Sequence, residues 1–161
     1  YATQARDQAP HYEHTRIGYN YRLSNVCAGI GRGQMLSLPS FLEKRRGIHE
    51  EYRRRLSGVP GLSLLENPDS RYHSNHWLTC VQVNPEEARF DRETLRLALQ
   101  KAGVESRPLW KPMHLQPVFR SCPFYGSGVS DRLFEEGLCL PSGASLAGED
   151  MDRIIDVLLN L

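Results

Sequence analysis

From Ser24 to about Leu56 the sequence keeps one helical period, and this run sets what the rest of the chain can become. Leu38, Phe41, Ile48, Tyr52 and Leu56 recur at spacings near three, four and seven. Glu43, Lys44, Arg45, Glu50, Arg53 and Arg54 fill the opposite face. An apolar stripe beside a charged face predicts a long helix that needs a partner layer. Ser24 or Asn25 can cap its start, and Ala28, Gly29, Gly31 and Gly33 line the first turns, where small side chains would let another backbone come close to a buried helix. Pro39 interrupts the period, so a kink or two consecutive helices is expected. Gly58, Pro60 and Gly61 end it.

Shorter elements follow. Leu62–Leu65 predicts a short strand, and His76–Val83, rich in aromatic and β-branched residues, a clearer one that stops at Asn84-Pro85. Asp91 caps a helix running to Lys101, closed by Gly103. Val104–Leu109 predicts a strand, Ser130–Glu136 a short helix, Leu138–Leu140 a strand and Glu149–Leu159 a last amphipathic helix. Strands and helices alternate irregularly, with few crossovers. That argues for an α/β chain of the α+β kind, a small open sheet covered on one side by helices, and against a doubly wound parallel sheet.

At 161 residues the chain can bury a real core without staples. Its net charge of +1 offers no basic field for nucleic acid. Only Lys44, Lys101 and Lys111 are lysines, so the positive charge is mostly arginine, which favours fixed, forked contacts. Cys27, Cys80, Cys122 and Cys139 are widely separated and read as reduced thiols. No apolar run reaches membrane-spanning length and no secretory signal is visible, so the cytoplasm is the expected location. Tyr1–Tyr12 carries neither helical nor strand period and predicts the trailing end of something longer.

Chemistry can be sought in four places. Gly29-Ile-Gly31-Arg-Gly33 lacks a preceding strand and the dinucleotide spacing, so it does not predict a nucleotide loop. His11/His14 and His73/His76 lie three apart but without a clear third ligand, and no metal site is expected. Asn20 and Arg22, in Gly18-Tyr-Asn-Tyr-Arg22 just before a helix start, suit a phosphate or carboxylate; an ordinary capped turn would use the same residues. In Glu105–Pro117 three prolines stiffen a loop bearing Arg107, Trp110, Lys111, His114 and Gln116. Arginine and lysine suit phosphate oxygens, Trp110 a sugar or base face, and His114 a hydroxyl. The alternative is a rigid connector with Trp110 and Met113 tucked into the core. Gly137-Leu-Cys-Leu-Pro-Ser-Gly143 predicts a buried strand ending in a sharp turn at Ser142.

Asn20 and Arg22 with their flanks, Gln34, Arg45-Arg46, Ser106–Pro117 and Gly137–Gly143, in that order, resemble the carboxy-terminal part of the DegT/DnrJ/EryC1/StrS family of pyridoxal-phosphate-dependent sugar aminotransferases. The resemblance covers about His14 to Leu161. The Arg-Pro-Leu-Trp-Lys-Pro-Met-His-Leu-Gln-Pro wording is most similar to the branch that aminates UDP-4-keto-6-deoxy-N-acetylhexosamines in surface-glycan pathways. It implies the C-terminal domain of a fold-type-I transferase, with residues 1–23 ending the large domain and its active-site loop and 24–161 forming the small domain. It also implies a homodimer in which Asn20 reaches the partner subunit's cofactor phosphate and Arg22 lines that site. Arg107, Trp110 and His114 would then border the nucleotide-sugar pocket, with glutamate as amino donor.

The family's Schiff-base lysine lies upstream of the Gly-Tyr-Asn-Tyr-Arg run, and none of the three lysines here matches it. No catalytic residue is therefore assigned to this chain, and alone it is expected neither to transaminate nor to hold pyridoxal 5'-phosphate. Gly29, Gly31 and Gly33 stand where the family often has alanine. Each is less favourable by roughly 0.8–1 kcal/mol in a helix interior, which predicts frayed or remodelled first turns. Two rival readings stand beside the aminotransferase: a dehydratase of the same family with histidine for the lysine, and a non-catalytic assembly domain.

Overall fold

The structure, a computed structural model, describes Ala5, Asp7, Gln8, Pro10 and residues 13–161. Most of the lead-in Tyr1–Tyr12, His11 included, lies outside the described residues. Two compact units make up the chain, Tyr1–Pro39 and Ser40–Leu161.

Helix α1 runs unbroken from Asn25 to Leu56. Ser24 starts it: Cys27 N donates to its Oγ at 3.2 Å and Ala28 N to its carbonyl at 2.9 Å. Pro39 lies inside this single helix, so the expectation of two consecutive helices is not met; the helix continues although the Met35 carbonyl loses its N–H donor. The first turns are helical despite their glycines, and a Cβ added at Gly29, Gly31 or Gly33 would meet nothing within 4 Å. Among the described residues no backbone approaches them, so the small-residue expectation is not met there. Leu38 and Phe41 are exposed as well, so the buried stripe shrinks to His49, Tyr52 and Leu56.

In the unit Ser40–Leu161, strands β1 (Leu62–Leu64), β2 (Thr79–Val83), β3 (Arg107–Pro108) and β4 (Gly137–Leu140) form one antiparallel sheet in the order β1-β2-β4-β3. Thr79, Val81 and Val83 point to a core shared with Leu138 and Leu140, with Tyr52 and Leu56 of α1, with Leu95 and Leu99 of α3 (Arg92–Lys101), and with Met151, Ile154, Ile155 and Leu158 of α5 (Gly148–Leu159). Cys80 and Gln82 alternate onto the other face. Helix α4 (Val129–Glu136) leads straight into β4.

Two strands are shorter than predicted. β2 starts at Thr79 because His76 adopts φ +43, which breaks the extended run. β3 keeps only Arg107 and Pro108, since proline donates nothing to the ladder. Asn84-Pro85 does more than stop a strand: Asn84 Oδ1 accepts from Glu86 N at 3.1 Å and caps the four-residue helix α2, Pro85–Ala88. Gly61, at φ +73, packs so tightly there that a Cβ would lie 2.2 Å from Ala88 N. Asp91 caps α3 as expected, through Thr94 N at 2.8 Å, and Gly103 takes φ +73 beyond its end. Among the described residues no helix is long and apolar enough to cross a membrane.

Candidate functional site

The face of the sheet turned away from the helical core opens into a cavity of about 500 Å³, lined by Trp77, Leu78, Glu105–Pro108, Trp110 and Cys139. That is a ligand-sized volume. Trp110 is 66% exposed and Met113 63%, so neither is tucked into the core as the connector alternative required. Trp77 faces Trp110 with ring centroids 6.0 Å apart and planes inclined by 30°.

The loop before β2 holds Trp77 in place by four hydrogen bonds. Arg45 Nη1 donates to Trp77 O at 2.6 Å and Arg46 Nε to Ser74 O at 3.1 Å. His76 N donates to Ser74 Oγ at 3.0 Å, and Trp77 N to Asn75 Oδ1 at 3.1 Å. The left-handed turn at His76 is the strained point these bonds secure. Behind it the His76 ring stacks on His49 at 3.7 Å. His49 is 4% exposed, its ring nitrogens each 3.4 Å from Glu66 Oε2 and Thr79 Oγ1. Burial pushes the His76 imidazole below its ordinary value, and His49 and Arg46 act in the same direction. Arg45 and Arg46 thus position a cavity wall.

Arg107 stands at the cavity edge, its Nε and Nη2 donating to Glu105 Oε1 at 2.9 and 2.6 Å. Both side chains are well exposed. An exposed pair of this kind is worth roughly 0–1 kcal/mol, so an anionic ligand can take the guanidinium at little cost. On the same wall Ser106 Oγ is buried with no hydrogen-bond partner among the described residues, a polar group suited to a ligand hydroxyl or amide.

Arg107 and Trp110 therefore share one cavity, and His114 does not line it. His114 Nε2 lies 2.6 Å from Asp131 Oδ1, close enough for charge pairing but off the line of a hydrogen bond. Its ring stacks on Phe124 at 3.6 Å. Gln116 Nε2 donates to Lys111 O at 3.4 Å and braces the loop. A larger hollow of about 770 Å³ near Gly58–Ser63 carries Glu86, Glu87 and Glu136 against Arg132 alone and has no aromatic face. Anionic ligands have no reason to settle there.

Asn20 and Arg22 belong to the unit Tyr1–Pro39, where both are exposed. The Arg22 backbone N–H donates to Asn20 Oδ1 at 3.1 Å. That bond orients the amide, leaving Nδ2 with its two N–H donors at the other end. Tyr19 and Tyr21 flank it with ring centroids 5.7 Å apart.

Ser142 is structural: buried, its hydroxyl accepts from Thr79 N at 2.7 Å and donates to Leu140 O at 2.9 Å. Sequence reasoning missed Trp77, which passed for a strand residue, and also Ser106 and Cys139. The mark for Trp77 was its place beside a second tryptophan on the same sheet face, which no linear spacing reveals.

The sequence profile of the DegT/DnrJ/EryC1/StrS aminotransferase family matches residues 2–159. EpsN of Bacillus subtilis (strain 168), assigned by name to the pyridoxal phosphate-dependent aminotransferases, is 39% identical over 164 residues, spanning 99% of this chain and 41% of EpsN. GDP-perosamine synthase of Vibrio cholerae is 29% identical over 150 residues, 92% of this chain and 40% of its own length. The crystal structure of the aminotransferase TlmJ from Streptoalloteichus hindustanus superposes with a TM-score of 0.82 at 27% identity, covering 99% of this chain and 42% of TlmJ. The small antiparallel sheet with its helices is that of fold-type-I aminotransferases. The chain spans about two-fifths of the length of these relatives.

Proposed function

Because the chain belongs to the DegT/DnrJ/EryC1/StrS family of pyridoxal-phosphate-dependent sugar aminotransferases, we propose that it is the carboxy-terminal part of an enzyme that aminates a nucleotide-linked keto sugar. In this reading the substrate is a UDP-4-keto-6-deoxy-N-acetylhexosamine, the amino donor is glutamate and the setting is the cytoplasm. The observation that carries it is the cavity walled by Trp77 and Trp110, with Arg107 at its edge and a buried Ser106 hydroxyl inside that has no partner among the described residues. An aromatic face suits a base or pyranose, a guanidinium suits a diphosphate, and a buried hydroxyl suits a sugar hydroxyl or amide. Trp77 joins Arg107 and Trp110 as a substrate-binding residue. His114 acts from the side, holding the loop through Asp131 and Phe124.

Asn20 and Arg22 fit a phosphate by the chemistry of their donors: amide N–H groups and a guanidinium, both exposed ahead of the α1 N-terminus. In the proposal they hold the cofactor phosphate of a partner subunit in a homodimer. Pyridoxal 5'-phosphate, when bound, supplies the electron sink for amino transfer. Residues 1–23 then end the large domain and 24–161 form the small one. The exposed Ile17, Leu23, Val26, Ile30, Met35 and Leu36 support a larger assembly that covers them.

The test uses the full-length enzyme loaded with cofactor, given the UDP-4-keto sugar and glutamate. Mass spectrometry should find an amino sugar and one 2-oxoglutarate per turnover. A deoxy sugar carrying no new amino nitrogen, with the glutamate nitrogen released as ammonia beside the 2-oxoglutarate, would mean the dehydratase, and failure to bind any nucleotide sugar would end the proposal.

A further inference from the structure

We propose that Cys80 and Cys139 are a redox-active dithiol that closes to a cross-strand disulfide in the floor of the Trp77/Trp110 cavity. This goes beyond the proposed function and does not rest on it.

The two cysteines are direct partners in the β2–β4 register, and their Sγ atoms are 3.8 Å apart. Their backbone geometry suits closure. Cys80 O accepts from Leu65 N at 3.0 Å, so its polar groups point toward β1. Gly137, two residues before Cys139, accepts from Leu109 N, so that stretch of β4 points toward β3. Cys80 and Cys139 are therefore a non-hydrogen-bonded antiparallel pair, for which Cα atoms lie about 4.5 Å apart and side chains are closest. That falls inside the roughly 4.4–6.8 Å range a disulfide spans, so side-chain rotation alone can bring the sulfurs together. Both side chains lie on the sheet face away from the core, and Cys139 reaches the cavity.

The hydrogen bond between the thiols holds Cys139 below the ordinary cysteine value, while the same bond and burial push Cys80 up. Cys139 is thus the more readily ionised of the two and, opening onto the cavity, the sulfur that meets an oxidant first. With a low-molecular-weight disulfide as oxidant, Cys139 attacks one of its sulfurs, breaks that S–S bond and releases one thiolate, which takes up a proton. Cys80 then gives up its proton and attacks Cys139 Sγ, expelling the second thiol. Two protein thiols are oxidised, and one small disulfide is reduced to two thiols.

The experiment equilibrates the chain, carrying Cys27→Ser and Cys122→Ser to remove the exposed thiols, in glutathione buffers of rising oxidised fraction. Acid quenching, alkylation and peptide mass mapping follow. The expected result is simultaneous loss of both alkylatable thiols. A Cys80–Cys139 linked peptide should appear, lighter by two hydrogen atoms and restored by dithiothreitol, with quenching of tryptophan fluorescence. Adding Cys80→Ser should leave glutathione stably attached at Cys139. Two thiols that stay alkylatable in excess oxidised glutathione, or glutathione stalled on Cys139 while Cys80 is present, would overturn the proposal. The reading on the parent protein stands whether or not the Cys80→Ser variant folds.

Discussion

Trp77 and Trp110 come from opposite ends of the sheet face, one ahead of β2 and one beyond β3, yet their ring centroids lie 6.0 Å apart. At that distance the indoles contact each other and form one tilted wall rather than a slot. A ligand base or pyranose would lie across the wall, with the exposed Trp110 ring contributing most of the area. Trp110→Ala is expected to weaken nucleotide-sugar binding by about 1–3 kcal/mol, the usual loss when a stacked aromatic is truncated, with little change in thermal stability. Titration calorimetry of the full-length enzyme measures the first and a melting curve the second. Equal affinity for wild type and variant would remove the wall from the site.

For the Asn20 turn, an acidic replacement separates two roles. Asn20→Asp keeps the oxygen that accepts the Arg22 N–H, so the turn should persist. It replaces the amide donors with negative charge, so retention of pyridoxal 5'-phosphate by the full-length enzyme should fall at least tenfold, read by absorbance after gel filtration. Asn20→Ala removes both functions. Undiminished retention in the acidic variant would leave Asn20 a turn residue only.

Much of the framework was legible because it rests on local chemistry. The Asp91 cap, the Gly103 stop and the amphipathic stripe of the last helix each depend on residues a few positions apart. What was lost depends on distant parts of the chain. The start of β2 is set by the left-handed His76, itself secured by Arg45 and Arg46 from α1, and nothing in His-Trp-Leu-Thr announces that. The apolar residues early in α1 look like a core stripe yet are exposed. Arg107 and Trp110 were readable as chemistry in a stiff loop, whereas Trp77 became visible only once the sheet face was known. His114 kept its chemical character, but Asp131 and Phe124, far along the chain, decide what it does.

Ser142→Ala tests the buried bridge between strand ends. It would strand Thr79 N, which now donates to the Ser142 hydroxyl at 2.7 Å. An orphaned buried donor costs about 1–3 kcal/mol, so the denaturant midpoint should drop with the slope unchanged. An unchanged midpoint would show that the bridge is energetically neutral.

Glu51 links acid stability to α1. Hydrogen bonds from Arg54 and then Arg55 hold its carboxyl at about 2, against an ordinary 4.5. Because the folded value is depressed, the stabilisation is present above pH 4.5 and is lost as pH falls toward 2. Arg55 also pairs with Asp152, so the network ties α1 to α5. The groups are open to solvent screening, so the contribution should be small. Glu51→Gln should flatten the fall in melting temperature across that window, and an unaltered acid profile would show that the pairs contribute nothing.

The strand order has a consequence for biosynthesis. β4, which lies between β2 and β3, is the last of these four strands to be synthesised, and the Tyr52 hydroxyl donates to Pro141 O across 89 residues. A nascent chain can pair β1 with β2 early, but the β2–β4 seam stays open until β4, 59 residues beyond Cys80, has emerged. Such late, long-range closure makes folding slow and leaves the unfinished edge of β2 open to adhesion with other chains.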